Sequence, residues 1–427
     1  MVFGKSICGI FSLHERIGRS LCHMSPGLSG VLEVLKERSF YGFRPTLGRD
    51  SLIELRRGPD RSSYPIIWFA LIMPQDSKSM QKAVIVSQQG PDATVNIVDI
   101  TIPEPGIDDV LIRLSHSGVC HGDVSLIYGD WQNIGLHFQE TMVHGHEGVG
   151  VITEVGANVQ NFRPGDRVGI KWIHSTCGSC KYCLSGNDHY CPKQQHFGRH
   201  HPGSFQQYVV SPARYTSPIP PEVPDVEAGP MLCGGVTMYR ALKTSKVSPG
   251  QWVVIFGAGG GLSHLGIQFA KAMGMRVVGI DGGQDKKALC LSLGVDVFVD
   301  FLDVKDVVRA ISDLTDCGIA GVIVTAASHS AYEQGVRMLG IGGTLVCVGL
   351  PHESFDIPVQ PFQFIQTGCV VTGTNAGSLQ DVQEALAFAA RKQVRVEVQC
   401  FPMEQAEAVF QNVKANRYKG RAVLKLE

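Results

Sequence analysis

Four cysteines fall within fifteen positions of "CGSCKYCLSGNDHYC" (177–191). Their spacing, C-x2-C-x2-C-x7-C over Cys177, Cys180, Cys183 and Cys191, is compact enough for one lobe to wrap a tetrahedral ion in four thiolates. Such a shell is closed and leaves no position for substrate, so the expected ion is a structural zinc. An iron–sulfur cluster draws on the same sulfurs, although the C-x2-C-x2-C-x3-C-P run is not matched. Four unliganded thiols are the bland alternative.

A closed site does no chemistry, so an open set must be sought elsewhere. "GVCHGDV" offers Cys120, "VHGHEG" offers His146 and Glu147, and "MLCGGV" offers Cys233. Two sulfurs and one imidazole make an open zinc site with a fourth position for an alcohol or water. Spacing alone does not establish this trio, and by composition a lone cysteine such as Cys233 belongs in a core.

A third group surrounds "GAGGGLSHLGIQFAKAMG". Gly257, Gly259, Gly260 and Gly261 let the backbone turn tightly and approach a pyrophosphate at a helix N-terminus. The context strengthens the pattern: a strand before, a helix after, and Asp281 ending the next strand, twenty residues past Gly261. A carboxylate there binds the ribose diol of NAD and repels a 2'-phosphate. A packing turn and a loop cap are the plain alternatives for the glycines and for Asp281.

The elements that must position these residues change character along the chain. From 82 to about 230, "KAVIV", "VLIRLSHSGVC", "EGVGVITEVG" and "DRVGIKW" are short strands among glycines and prolines, an irregular, mostly β domain. Beyond it, "WVVIFG", "MRVVGID", "DVFVD", "GVIVTAA" and "GTLVCVGL" alternate with helical stretches. That alternation predicts βαβ units, hence a doubly wound parallel sheet with helices on both faces, an α/β Rossmann domain.

At 427 residues two domains are expected. A formal charge of -1 provides no field to draw nucleic acid or an anionic membrane surface, and favours a small neutral-to-polar partner. Thirteen cysteines would suggest a secreted disulfide framework only in a much smaller domain. The run "PIIWFALIMP" (65–74) is too short to span a bilayer and too far along to be an ordinary signal peptide. The reading is a cytoplasmic protein with reduced thiols. Residues 1–79 hold eleven Lys or Arg against seven Asp or Glu with no sustained period. They are read as an extension that is disordered or absent from the mature protein, translated sequence upstream of a start at Met73, or a transit segment that would direct the chain to mitochondria.

Taken in order, "GVCHGDV", "GHEG", "GDRVGIKW", the four-cysteine lobe, "GSFQQY", "LCGG", "GAGGGL" and "GIDGG" resemble the zinc-dependent medium-chain alcohol dehydrogenases, specifically the fungal tetrameric type. The resemblance covers about 80–427 and implies a GroES-like catalytic domain over 80–230 and 376–427, with an NAD-binding domain over 231–375. It implies two zinc ions per chain, NAD as hydride carrier, an alcohol or carbonyl substrate and a homo-oligomer, a tetramer in this branch. Cys120, His146 and Cys233 then hold the catalytic zinc, with Glu147 an alternative ligand and Asp123 accepting the other ring proton of His146. His121 and Arg421 match positions meeting the cofactor pyrophosphate, Leu262 closes the glycine turn, Lys286 matches one meeting the adenosine ribose, and Trp131 walls the substrate pocket.

The chain departs from the family at three places. Ser263 stands where the turn usually ends in glycine, which threatens close helix–strand packing. Gly122 and Ser125 replace the Thr or Ser and the His of the usual proton relay, leaving Ser125 to hydrogen-bond a water. Other readings are a pathway-specific carbonyl reductase for a bulkier substrate, a catalytically silent NAD- or zinc-binding relative, and a zinc-ribbon nucleic-acid binder.

Overall fold

Two sheets carry the architecture, and each follows from its side-chain pattern. The computed structural model describes residues 79–137, 142–315 and 318–427. The reading of the first 79 residues lies outside them, Ser79 apart.

The parallel sheet has the strand order Val297–Asp300, Arg276–Asp281, Trp252–Phe256, Ile319–Val324, Leu339–Cys347, Val370–Gly373. All five pairings are parallel. Alternate residues feed two cores: Val253 and Ile255 enter one, and Trp252, Val254 and Phe256 the other, the two-residue period of a strand covered on both faces. Chain order reverses beside Trp252–Phe256, and a crevice at such a switch point is where doubly wound sheets bind ligands.

The second sheet runs Val398–Pro402, Arg421–Lys425, Asp109–Val119, Glu147–Val155, Arg167–Gly169, Ser217–Pro218, with Tyr208–Pro212 also paired to Asp109–Val119. It is antiparallel except where Val398–Pro402 meets Arg421–Lys425. Its strands bury Val110, Ile112, Leu114, Ile152 and Leu424 in a third core. The strand Arg421–Lys425 thereby lies beside Asp109–Val119, some three hundred residues earlier. Two ribbons complete this half, Met80–Val86 with Val95–Thr101 and the two-residue pairing of Ile173–Ser175 with Gln195–His196. No helix among the described residues is long and apolar enough to cross a membrane.

Candidate active site

Strand register gathers residues that are far apart in sequence. Asp109–Val119 runs directly into Cys120, and Glu147–Val155 begins one residue after His146. Gly118 faces Glu147 and Val119 faces Ala422, so Cys120, His146 and Arg421 emerge together at one end of three adjacent strands. Gly145 makes the approach to His146: its φ is +93°, and a Cβ there would lie 2.7 Å from the Phe205 ring, a turn open to glycine alone.

Cys120 caps the helix His121–Ile127. Its Sγ accepts from the Gly122 N–H at 3.3 Å, and its own N–H donates to Asp123 Oδ2 at 3.3 Å. Asp123 Oδ1 accepts from His146 Nδ1 at 2.7 Å. That bond holds the proton on Nδ1 and leaves the Nε2 lone pair directed at Cys233 Sγ, 3.2 Å away.

Cys233 lies in a five-residue π-helical segment, Met231–Gly235, between the helices Asp225–Pro230 and Val236–Ser245. Pro230 has no N–H for the α-helical ladder, which favours the change of winding. The Cys120 and Cys233 sulfurs stand 3.8 Å apart, and ligand atoms of Cys120, His146, Cys233 and Glu147 all lie within 4.8 Å of one another. Zinc–sulfur bonds of about 2.3 Å at tetrahedral angles put sulfurs about 3.8 Å apart, so the donors fit the ion. The hydrogen bond from Cys233, with help from His146 and Arg421, draws the buried Cys120 thiol well below its ordinary range, whereas that same bond and burial raise Cys233.

Glu147 is fully buried, and burial pushes its carboxyl up to about 7 despite the Arg421 guanidinium on Oε1. Its Oε2 has no partner among the described residues. Arg421 also touches the glycine turn: a Cβ on Gly261 would lie 3.2 Å from Arg421 Cδ and 3.0 Å from the Gly420 oxygen. The Arg421 Nε is buried without a partner among the described residues. An unmet N–H beside a tightly packed glycine turn fits a pyrophosphate. One arginine thus joins the metal set to the nucleotide turn.

Asp281 ends its strand as read from sequence, but its carboxylate is already engaged. Oδ2 accepts from Gly259 N–H at 2.9 Å, and Oδ1 from Gly282 N–H at 2.8 Å and Lys286 Nζ at 2.7 Å. It anchors the turn. Lys286 covers the turn so closely that a Cβ on Gly259 would lie 2.7 Å from its own Cβ. Gly257 takes φ +73° and Gly260 follows within the turn. Leu262 precedes the helix Ser263–Ala272. Ser263 does not loosen that helix: it is fully buried, its hydroxyl bonds Thr325 Oγ1 at 2.7 Å, and Thr325 donates to the Phe256 oxygen at 2.7 Å.

Ser125 also differs from the expectation of a water contact. It is fully buried, and its hydroxyl bonds His121 Nδ1 at 3.1 Å. Trp131 crosses Gly122: a Cβ there would lie 3.5 Å from both Trp131 Cη2 and Cys120 Sγ. Two neighbours escaped the sequence reading. Trp172 meets His146 edge-on with ring centroids 5.1 Å apart, and His196 stacks on Trp172 at 4.4 Å. "KW" after a strand and one histidine of "HFGRHH" carried no spacing signal that joined them.

The cysteine lobe is built locally. Cys180 precedes the one-turn helix Lys181–Leu184, and Gly178 turns at φ +69°. Sulfur separations are 3.9 Å for Cys177–Cys183, 3.6 Å for Cys180–Cys183 and 3.6 Å for Cys191–Cys177, again the edges of a zinc–thiolate tetrahedron and far from a bonded pair. The N–H groups of Ser179 and Cys180 pull Cys177 down to about 6.

Residues 106–221 match the alcohol dehydrogenase GroES-like domain and 261–391 the zinc-binding dehydrogenase family. Alcohol dehydrogenase 2 of Emericella nidulans is 43% identical over 359 residues, 81% of this chain and 97% of that protein. An alcohol dehydrogenase of Geobacillus stearothermophilus is 39% identical over 346 residues, 81% of this chain and 99% of its own length. The structure of a cinnamyl alcohol dehydrogenase from Sorghum bicolor superposes with a TM-score of 0.73 at 27% identity, covering 82% of this chain and 98% of that one. On this agreement the chain belongs to the zinc-dependent medium-chain alcohol dehydrogenases and is an oxidoreductase that interconverts alcohols and carbonyl compounds with a nicotinamide dinucleotide.

Proposed function

We propose that the enzyme is a cytoplasmic, NAD-preferring dehydrogenase carrying two zinc ions per chain, one held by Cys120, His146 and Cys233 and one by Cys177, Cys180, Cys183 and Cys191. The observation that carries this reading is the clustered donor set of Cys120, His146 and Cys233, with Glu147 beside it, tied through Arg421 to the glycine turn. A zinc ion held there would supply Lewis acidity to a substrate oxygen, and a nicotinamide dinucleotide bound at the glycine turn would serve as hydride carrier. Asp123 keeps the His146 proton on Nδ1, Glu147 stands by as a further ligand through its unmet Oε2, and Trp131 walls the substrate side. His121 and Arg421 receive the pyrophosphate with Leu262 and the glycine turn. Asp281 disfavours a 2'-phosphate, and Lys286 faces the adenosine ribose.

Gly122 offers no hydroxyl, and Ser125 directs its own to His121, so the substrate's hydroxyl proton leaves through water in the cleft. The catalytic half is 80–230 with 376–427, the cofactor half 231–375. Ile341, Phe362 and Ile365 are 87%, 68% and 82% exposed on the cofactor half, and large apolar side chains left in solvent support a homo-oligomer, a tetramer by the fungal pattern.

Metal analysis of the purified protein, with NADH absorbance over a panel of alcohols and carbonyls, tests this. Two zincs are expected, falling to one in Cys180→Ser with a lowered Tm, because a four-thiolate zinc contributes folding energy. One zinc in the wild type, iron in place of zinc, or equal use of NAD and NADP would refute it.

A further inference from the structure

His196 is a buried group of the substrate half to which nothing above assigns work. Its side chain is 6% exposed, yet neither Nδ1 nor Nε2 has a hydrogen-bond partner among the described residues. A buried polar group left unmet is costly, and in a native protein it calls for a reason. The buried His264, by contrast, receives the Glu397 N–H on Nε2 at 3.3 Å. His189 shares the lack of partners but lies in the cysteine lobe.

Position supplies the reason. Pairing of Ile173 with His196 lays the imidazole flat on Trp172, centroids 4.4 Å apart and planes 16° apart. Trp172 in turn meets the ring of His146. His196 therefore stands one aromatic ring away from a ligand of the catalytic metal set. Its neighbours leave it unpaired: His200 lies 5.1 Å off, ring to ring, with its Nδ1 taken by the His196 backbone N–H at 3.1 Å, and Arg199 donates instead to the His137 oxygen. Burial, then His200, Arg199 and His146, push His196 down to about 3. A ring without charge presents one N–H and one lone pair, the complement of a hydroxyl group. Trp131, whose Cη2 edge crosses Gly122, likewise has its Nε1 buried and without a partner among the described residues. Two rings close to the metal set thus carry hydrogen-bonding capacity that nothing among the described residues satisfies.

We propose that His196 selects for substrates with a second hydroxyl, so that the preferred substrates are diols or hydroxy-carbonyl compounds whose far oxygen bonds its imidazole while the near one reacts. The inference rests on the dehydrogenase reading of the same site.

The test compares kcat/KM for terminal diols, from two to six carbons, with primary alcohols of equal carbon number. At one chain length the zinc-loaded wild type is expected to favour the diol by about tenfold or more, because a site built to hydrogen-bond a hydroxyl rejects the analogue lacking it. His196→Leu should abolish that ratio by lowering the diol value alone, and His196→Gln, which keeps a donor and an acceptor, should restore part of it. A wild type without diol preference at any length, a preference that survives His196→Leu, or an equal fall for both substrates would overturn the proposal. The wild-type comparison decides even where His196→Leu does not fold. Turnover of alcohols with a flat ratio overturns this inference alone, whereas no turnover of any alcohol or carbonyl overturns the dehydrogenase reading with it.

Discussion

Replacing Asp123 with asparagine tests how the metal set is held. The carboxylate is 2% exposed and acts in two directions, accepting from His146 Nδ1 at 2.7 Å and from the Cys120 N–H at 3.3 Å. Asparagine keeps the shape but has one acceptor. With its oxygen towards His146, its NH2 confronts the Cys120 N–H, donor against donor. With the amide reversed, His146 must move its proton to Nε2 and lose the lone pair that faces the metal. A hydrogen bond to a charged group contributes about 1.5–3 kcal/mol. At about 1.4 kcal/mol per factor of ten, zinc binding at this set should weaken about 10- to 100-fold. Zinc release to a chromogenic chelator measures this, with the cysteine-lobe zinc as an internal reference, and kcat/KM should fall while NAD binding is unchanged. An affinity within about twofold of wild type would refute the reasoning and reduce Asp123 to a helix cap.

Asp281→Gly should raise the relative use of NADP and also lower the Tm, since the hydrogen bonds from Gly259, Gly282 and Lys286 go with it; improved NADP use with an unchanged Tm would contradict the anchoring role. Lys171 is 2% exposed, and burial lowers it to about 8, against the pull of Asp188 and Asp381. The folded chain then sheds a proton that the unfolded chain still holds, so this group's contribution to stability should rise with pH from about 8 to about 10.5. Lys171→Met should flatten that rise in urea midpoints, and identical pH profiles would refute it. Gly122→Ser fits, because a Cβ there meets only ordinary 3.5 Å contacts. It should raise kcat for small primary alcohols by about tenfold or more, as a positioned hydroxyl contributes to proton transfer, and an unchanged kcat with zinc retained would show that the missing relay is not limiting.

Local features were readable, and features set by register were not. The cysteine lobe was plain because its four ligands lie on one short stretch, whatever the rest of the chain does. The strands of the parallel sheet announced themselves because burial on both faces leaves "WVVIF" and "VVGI" uninterrupted, whereas Val370–Gly373, half exposed at the edge, left no such run. Cys120, His146 and Cys233 could be grouped only by resemblance. Their meeting depends on Gly118 facing Glu147 and on a π turn, and neither has a period to detect. The same limit hid the stacking of His196 on Trp172, made by a pairing two residues long. The ion pair of Asp281 with Lys286 is equally silent, because a carboxylate and an amine five residues apart can as well serve two separate contacts.

Arg421 belongs to a strand that sits between two others in the catalytic sheet, and its side chain joins Glu147 to the glycine turn. During synthesis the cysteine lobe can close on its ion as soon as Cys191 has emerged, because its four ligands share one short stretch. The reaction centre instead gathers residues from Cys120 to Arg421, so it must wait until the strand Arg421–Lys425 has been made and has entered the sheet. A nascent chain can therefore carry a loaded lobe long before it carries a metal set tied to its nucleotide turn.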